Sequence, residues 1–398
     1  MKILYIVPYF YPAGIVGGTA KSLYDLSRIL VKNGHKITVL TTDLFNAENR
    51  INFPHDKECN LDGIRVIYFS NLSNKLAYQN HFFLPFKFFL YLLKNIKKYD
   101  IVHLHEIYTV MHLWAGFLSR KKNIPYIITS HGTVTLKKEE GRIIRKKVFY
   151  SLGGLNLLKN ATKIVALTDD EKKAFLKLGL KKEKIVVIPN GYSVNSCIKS
   201  KNTDNFRKRY NIPRKSKILL FLGRIHPKKG IDLLVDALFD LKKKHPDIIL
   251  IIAGPIEDKN YYHKIMQQIN DKKLNENIFF TGALAEEDKR YAYEIADIFV
   301  LISYAEGLPL SILEAASFGV PLLISKYCGV PEVSFYKAGL VVGTNVTDII
   351  SAVEKIFSHD NYRSFFGRNG QKMIKEKFDL KKIAVDTEKL YRSILLNK

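Results

Sequence analysis

The sequence predicts an α/β protein in two halves, each with a parallel sheet. Short apolar runs that read as buried strands alternate with helical stretches along the whole chain. The order strand, glycine loop, helix, strand at the start is Rossmann-like. A polar, lysine-rich stretch at 193–216 divides two such series and reads as a linker. The expected division is therefore 1–192, a linker 193–216, 217–379 and a last helical piece 380–398.

Residues 2–7 (KILYIV) give the first strand. The loop PYFYPAGIVGGTA and a helix over about 20–33 follow, then the strand 36–42. Gly14, Gly17 and Gly18 lack the spacing of a dinucleotide fingerprint, which weighs against a nicotinamide enzyme. Gly17 and Gly18 at a helix start let backbone N–H groups approach a phosphate, or form a plain surface turn. IRVIYF (64–69) is another strand. The run HFFLPFKFFLYLLKNIKKYD is helical in period after Pro85. It reads either as a core helix or, with aromatics beside lysines, as a membrane-surface segment.

IVHLHEIY (101–108) is a strand leading into a loop. His103 and His105 alternate along it, which favours structural histidines over a metal site. The strand within 124–134 ends in Ser130-His131-Gly132-Thr133, placing His131 at a C-terminal strand end, where α/β ligands bind. The basic stretch 136–161 reads equally as an amphipathic face for anionic lipid or as a solvated helix face. The strands 163–168 and 184–188 and a helix from about Asp169 complete the first half.

The second half runs through strand 217–224, helix 230–244, strand 248–254, helix 260–270, strand 278–283 and helix 286–296. Then come IADIFVLIS, a helix over 311–318 and VPLLIS. Helices near 348–358, 361–377 and 380–396 close the chain. GRIHPKKG sets Arg224 and Lys229 around a short loop after a strand, suited to phosphate oxygens unless both are merely solvated. Glu306 lies just past a strand end, with Glu314 on the helix that follows. That spacing suggests two carboxylates about two turns apart on roughly one face.

At 398 residues the chain has room for two or three domains. Its net charge is +25, with the larger excess in the first 192 residues, which suits an anionic partner. No recognisable nucleic-acid motif accompanies it, so no nucleic-acid partner is expected. The three cysteines form no ligand pattern, and their odd number suits a reducing, cytoplasmic compartment. There is no run of apolar residues long enough to span a bilayer.

SHGT (130–133), ALTDDEKKAF (166–175), IPNGY (188–192), GRIHPKKG, AEGLPLSILEAASFGVPLLIS and CGVPE (328–332) together resemble the retaining glycosyltransferases of family 4 along most of the chain. The C-terminal set is the specific one. The similarity is to bacterial surface-polysaccharide enzymes. It implies a GT-B fold: two Rossmann-like domains with parallel sheets facing across a cleft, and a last helix crossing back to the N-terminal domain. It implies acceptor binding in the N-terminal domain and nucleotide-sugar binding in the C-terminal one. The donor-binding set is then Gly17, Gly18, Asn190, Gly223, Arg224, Lys229, Gly307, Leu308 and Glu314. The catalytic set is His131, Glu306, Arg224 and Lys229. Arg224 and Lys229 hold the diphosphate, Glu314 the ribose, and Glu306 and His131 the transferred sugar.

Many members have a second glycine two residues beyond the position of Gly307, where this chain has Pro309. The sequence has no Asp-x-Asp, in keeping with a site that needs neither metal nor cofactor. The resemblance implies a hexosyltransferase with a UDP-sugar donor rather than a GDP-sugar. The acceptor is a saccharide, expected on a polyprenyl diphosphate at the inner face of the cytoplasmic membrane. Two other functions are consistent with parts of the sequence: a nucleotide-sugar epimerase or hydrolase, and a non-enzymatic anion-binding module.

Overall fold

The computed structural model describes residues 1–13, 18–46, 48–134, 146–193 and 203–396. The chain forms two units. The first comprises Met1–Gly191 together with Leu380–Lys398, and the second Tyr192–Asp379.

The first unit holds strands β1 (Lys2–Ile6), β2 (Lys36–Thr42), β3 (Glu58–Leu61), β4 (Ile64–Phe69), β5 (Ile101–His105), β6 (Tyr126–Thr129), β7 (Lys163–Ala166) and β8 (Ile185–Val187). They form one sheet in the order β3-β4-β2-β1-β5-β6-β7-β8. All pairs are parallel except β3 with β4. The central strands are buried on both faces, which is why they read as unbroken apolar runs.

The second unit holds β9 (Lys217–Leu222), β10 (Ile248–Ala253), β11 (Ile278–Gly282), β12 (Ile298–Leu301), β13 (Leu322–Ser325) and β14 (Gly339–Val342). Its sheet is wholly parallel, in the order β11-β10-β9-β12-β13-β14.

Several elements among the described residues depart from the sequence reading, the short helix Glu332–Phe335 among them. β3 is a half-exposed edge strand, so its apolar signal is weak. Asp62-Gly63, both at positive φ, makes the hairpin turn to β4 and was its available mark. β14 is likewise a half-exposed edge strand. The helix Asn74–Asn80 is short and largely polar, burying only Asn74 and Ala77, so it leaves no apolar period. The helix Val110–Lys121 is the crossover that two parallel neighbours, β5 and β6, require. The stretch read as a linker contains the helix Thr203–Arg209, because Phe206 is buried beside Tyr210 and Tyr291.

The final helix, Leu380–Leu396, packs on the helix Gly18–Lys32 within the first unit. Its Tyr391 hydroxyl lies 2.9 Å from the Tyr5 hydroxyl and 2.7 Å from His103 Nδ1. Cys59 and Cys328 are free thiols, and Cys197 lies outside the described residues.

Candidate active site

Parallel strands release their chains at one edge, and ligands bind where neighbouring connections diverge. In the second unit that point is between β9 and β12, which pair despite lying two strands apart in sequence. The turn after β9 carries Gly223 and Arg224. A short 3-10 turn, Pro227–Lys229, then ends at Gly230, whose φ is 65°. A Cβ there would meet the Ile302 carbonyl oxygen at 2.4 Å, so the glycine lets this turn press against the end of β12.

That contact brings Lys229 to Glu306. Lys229 Nζ lies 2.7 Å from Glu306 Oε1, and each side chain is only 12% exposed. Burial by itself would push the Glu306 carboxyl up. The charges of Lys229 and Lys228 outweigh it and hold the group below its ordinary value. Glu306 is therefore a carboxylate at neutral pH, paired with a cation at the sheet's switch point. Arg224 is ion-paired with Glu257, a partner the sequence reading missed. The guanidinium has five N–H donors, so one carboxylate leaves others for a second anion.

The two glutamates do not share a helix face. Pro309 caps the helix Leu310–Ser317 in an extended conformation, leaving Glu306 in the preceding loop. The Pro309 side chain makes no cap hydrogen bond, so the first N–H groups of that helix have no side-chain acceptor from the cap. Glu314, on the helix, is 5% exposed, and its Oε2 accepts a hydrogen bond from the Tyr293 hydroxyl at 2.8 Å. Tyr293 in turn stacks on Phe318. Leu308 is buried and Gly307 half-buried. Gly329, at φ 71°, places its Cα side against the Gly307 carbonyl: a Cβ would come within 2.4 Å of that oxygen. The backbone of the glutamate loop is thus fixed from the CGVP turn. Arg224, Lys229, Glu306, Gly307, Leu308 and Glu314 all belong to this unit.

His131, Asn190 and Gly18 belong to the first unit, and Gly17 lies outside the described residues. Gly18 opens the helix Gly18–Lys32. His131 follows β6 with φ 51°, and Gly132 follows at 79°. The strained turn is clasped by Glu171, which the sequence reading did not assign. Its Oε1 accepts from the Ser130 hydroxyl and from Gly132 N–H at 2.7 Å, and its Oε2 accepts from Leu167 N–H at 2.7 Å. Burial raises the Glu171 carboxyl, and these three hydrogen bonds oppose the rise. A capping-box pattern, Thr168-x-x-Glu171, was the legible signal; the Thr168 hydroxyl does cap the helix Asp169–Lys177.

The His131 ring rests on His105, with Nε2 3.1 Å from His105 Nδ1. Only one of those nitrogens carries the shared proton. Burial lowers His131 to about 4 and His103 to about 3, and His105 falls well below its ordinary value. All three are neutral at pH 7, so His131 can offer hydrogen bonds but no charge. His103 is bonded at both nitrogens, to Tyr391 and to Thr129, as a structural histidine would be. A cavity of about 40 Å³ beside these rings is lined by Asn190, Thr387 and the three histidines.

The pattern has counterparts among known proteins. Residues 16–196 match the Glycosyltransferase Family 4 model, and residues 202–373 match the model for Glycosyl transferases group 1. An uncharacterised glycosyltransferase of Methanocaldococcus jannaschii is 25% identical, with 98% of each chain covered. The UDP-Gal:alpha-D-GlcNAc-diphosphoundecaprenol alpha-1,3-galactosyltransferase of Escherichia coli is also 25% identical, over 78% of this chain and 79% of its own. Among solved structures, Anabaena HepE in complex with UDP-glucose superposes with a TM-score of 0.77 at 17% identity, covering 99% of this chain and 100% of its own.

Proposed function

Because the chain belongs to glycosyltransferase family 4, a GT-B group acting on nucleotide sugars, we propose that it moves a hexose or N-acetylhexosamine from a UDP-sugar to a saccharide acceptor with retention at the anomeric carbon. The observation that carries this reading is the Lys229–Glu306 pair beside Arg224 and Glu314 at the switch point of the second sheet. A nucleoside diphosphate needs cations for its phosphates and a carboxylate for its ribose hydroxyls, and this rim has both.

In the proposed reaction the bond from the anomeric carbon to the leaving phosphate oxygen breaks, with oxocarbenium character at the carbon. The acceptor oxygen attacks from the same face, and its proton passes to the departing phosphate oxygen. Arg224 and Lys229 stabilise the charge gathering on the diphosphate, the part a divalent cation plays elsewhere. Glu306 and neutral His131 orient the sugar, and Glu314 holds the ribose. The backbone at Gly17, Gly18, Gly223, Gly307 and Leu308, together with Asn190, completes the proposed donor contacts. The first unit takes the acceptor.

A lipid-linked acceptor is favoured by the basic first half and by the diphosphoundecaprenol-linked substrate in the name of the Escherichia coli relative. No helix among the described residues is long and apolar enough to cross a membrane. A thermal-shift screen across UDP-, GDP- and ADP-sugars reads the donor, because a bound ligand raises stability by mass action. Proton NMR of the product made from the selected donor should show a larger glycan with the donor's anomeric configuration. Free sugar or an epimerised donor as the sole product would replace transfer with hydrolysis or epimerisation.

A further inference from the structure

The stretch from Leu72 to Lys98 combines a solvent-facing apolar stripe with unopposed positive charge. The backbone folds back on itself here: Leu72 N–H donates to the Leu84 carbonyl at 3.2 Å, and Phe82 N–H to the Leu76 carbonyl at 3.4 Å. The turn therefore gathers Leu72, Leu76 and Phe82, all exposed, beside the start of the helix Phe86–Asn95. On that helix Phe88 and Leu92 are fully buried and fix the inner face. Phe86, Leu90 and Leu93, spaced i, i+4, i+7, form a narrow stripe on the outer face. Phe86 and Leu90 are each 62% exposed. The apolar surface continues sideways from Phe89 through Trp114 to Phe117, which is 53% exposed.

A stripe of this kind needs a cover, and its charge says which. Residues 70–99 contain five lysines and no Asp or Glu. Lys87 is paired with Asp56 at 2.9 Å. Lys75, Lys94, Lys97 and Lys98 are exposed and enter no ion pair among the described residues. A second copy docking face to face would set these lysines against themselves, since a two-fold interface repeats the same patch. An anionic bilayer matches both features: the apolar stripe enters the headgroup boundary while the lysine stems reach phosphates beside it.

We propose that Leu72–Lys98 is the surface by which this chain docks on anionic membranes, with Phe86, Leu90 and Leu93 as the inserted residues and Lys94, Lys97 and Lys98 as the phosphate contacts. The proposal deepens the lipid-linked reading of the acceptor and rests on it for purpose. The binding itself is measured without donor or acceptor.

The test is co-flotation of the full chain with phosphatidylcholine vesicles and with vesicles of equal parts phosphatidylcholine and phosphatidylglycerol. Wild type should float with the anionic vesicles at low salt and not with the neutral ones. Phe86→Ser/Leu90→Ser should weaken binding at least tenfold. Lys94→Gln/Lys97→Gln/Lys98→Gln should weaken it by about fivefold per lysine. Both variants should keep the wild-type melting temperature, because the altered side chains are exposed. Equal binding to both vesicle types, no binding to either, or variants that float like wild type would each overturn the proposal. So would a concentration-dependent dimer that Leu90→Ser abolishes. Transfer to a water-soluble acceptor without flotation sinks the docking surface alone; flotation without transfer sinks the functional reading alone.

Discussion

Lys229 and Glu306 form a largely buried ion pair at 2.7 Å, with one residue on the turn after β9 and the other in the loop after β12. In the proposed complex Lys229 meets the diphosphate and Glu306 the sugar, and the lysine charge holds the glutamate ionised. Removing one partner leaves a charge with little access to water. Lys229→Ala should therefore destabilise the fold by about 1–3 kcal/mol, below the range for a fully buried pair. It should also lower kcat by about 10²–10³, the usual effect of losing one charge-stabilising donor. Lys229→Ala/Glu306→Gln should regain most of the stability and none of the turnover. Urea denaturation and steady-state kinetics on the three proteins check this. Turnover restored in the double variant would show that the lysine serves only the pair.

Arg224→Ala should lose a comparable 10²–10³ in kcat, whereas Glu257→Gln should lose far less. Glu257 holds the guanidinium in place but is not itself a proposed donor contact. Near-normal turnover in both Arg224→Ala and Lys229→Ala, measured with the true acceptor, would remove the diphosphate assignment.

Tyr293 aims Glu314. Its hydroxyl donates to Oε2 and so orients the carboxylate that holds a ribose hydroxyl in the proposed complex. Tyr293→Phe should raise KM for the donor about five- to tenfold with little change in kcat, and cost about 1–3 kcal/mol for the acceptor left unsatisfied. Donor titration by calorimetry separates this from a general loss of fold. A fall in kcat at constant KM would show that Glu314 serves the chemical step instead.

Glu171 holds the His131 turn through hydrogen bonds from Ser130 and Gly132, and a third from Leu167 N–H fixes its carboxylate. Glutamine offers one acceptor oxygen and an NH₂ that faces an N–H donor. Glu171→Gln should thus lower kcat about tenfold while leaving donor KM unchanged, and Glu171→Ala should lower it further. Equal effects on kcat and KM would indicate a structural role only.

The buried histidines set a pH dependence of stability. Their folded-state values lie below the unfolded value of about 6.5. The unfolded chain therefore takes up protons first as pH falls. His131 and His112, held at about 4, each remove stability between pH about 6.5 and about 4, by up to about 1.4 kcal/mol per pH unit. Glu306 acts in the same direction but at lower pH. Its value is depressed, so its stabilisation is present at neutral pH and is lost only as pH drops below the ordinary carboxylate range. Urea midpoints measured from pH 7 to 4.5 should fall steadily, with a shallower slope in His112→Gln. A flat profile would place these imidazoles in water.

Much of the fold was legible because parallel strands buried on both faces are written as apolar runs, and β1, β2, β4, β9, β10, β12 and β13 could be read that way. β3 and β14 were not, since each is a half-exposed edge strand that buries too little to leave an apolar run. The helix Thr203–Arg209 was hidden because one phenylalanine, Phe206, does its packing among lysines and arginines.

The site divides along the same line. The sequence alone determined which residues follow the strands: Arg224, Lys229, Glu306 and His131 come in the connections after β9, β12 and β6, with Glu314 on the helix after β12, and order along the chain is enough to say so. Only the tertiary structure decided what each one touches. Glu257 is 33 residues from Arg224, Lys229 is 77 from Glu306, Tyr293 is 21 from Glu314 and Glu171 is 39 from Gly132. Such partners are chosen by the packing of neighbouring strands and by the burial that keeps water from taking their place, and neither leaves a local trace in the sequence.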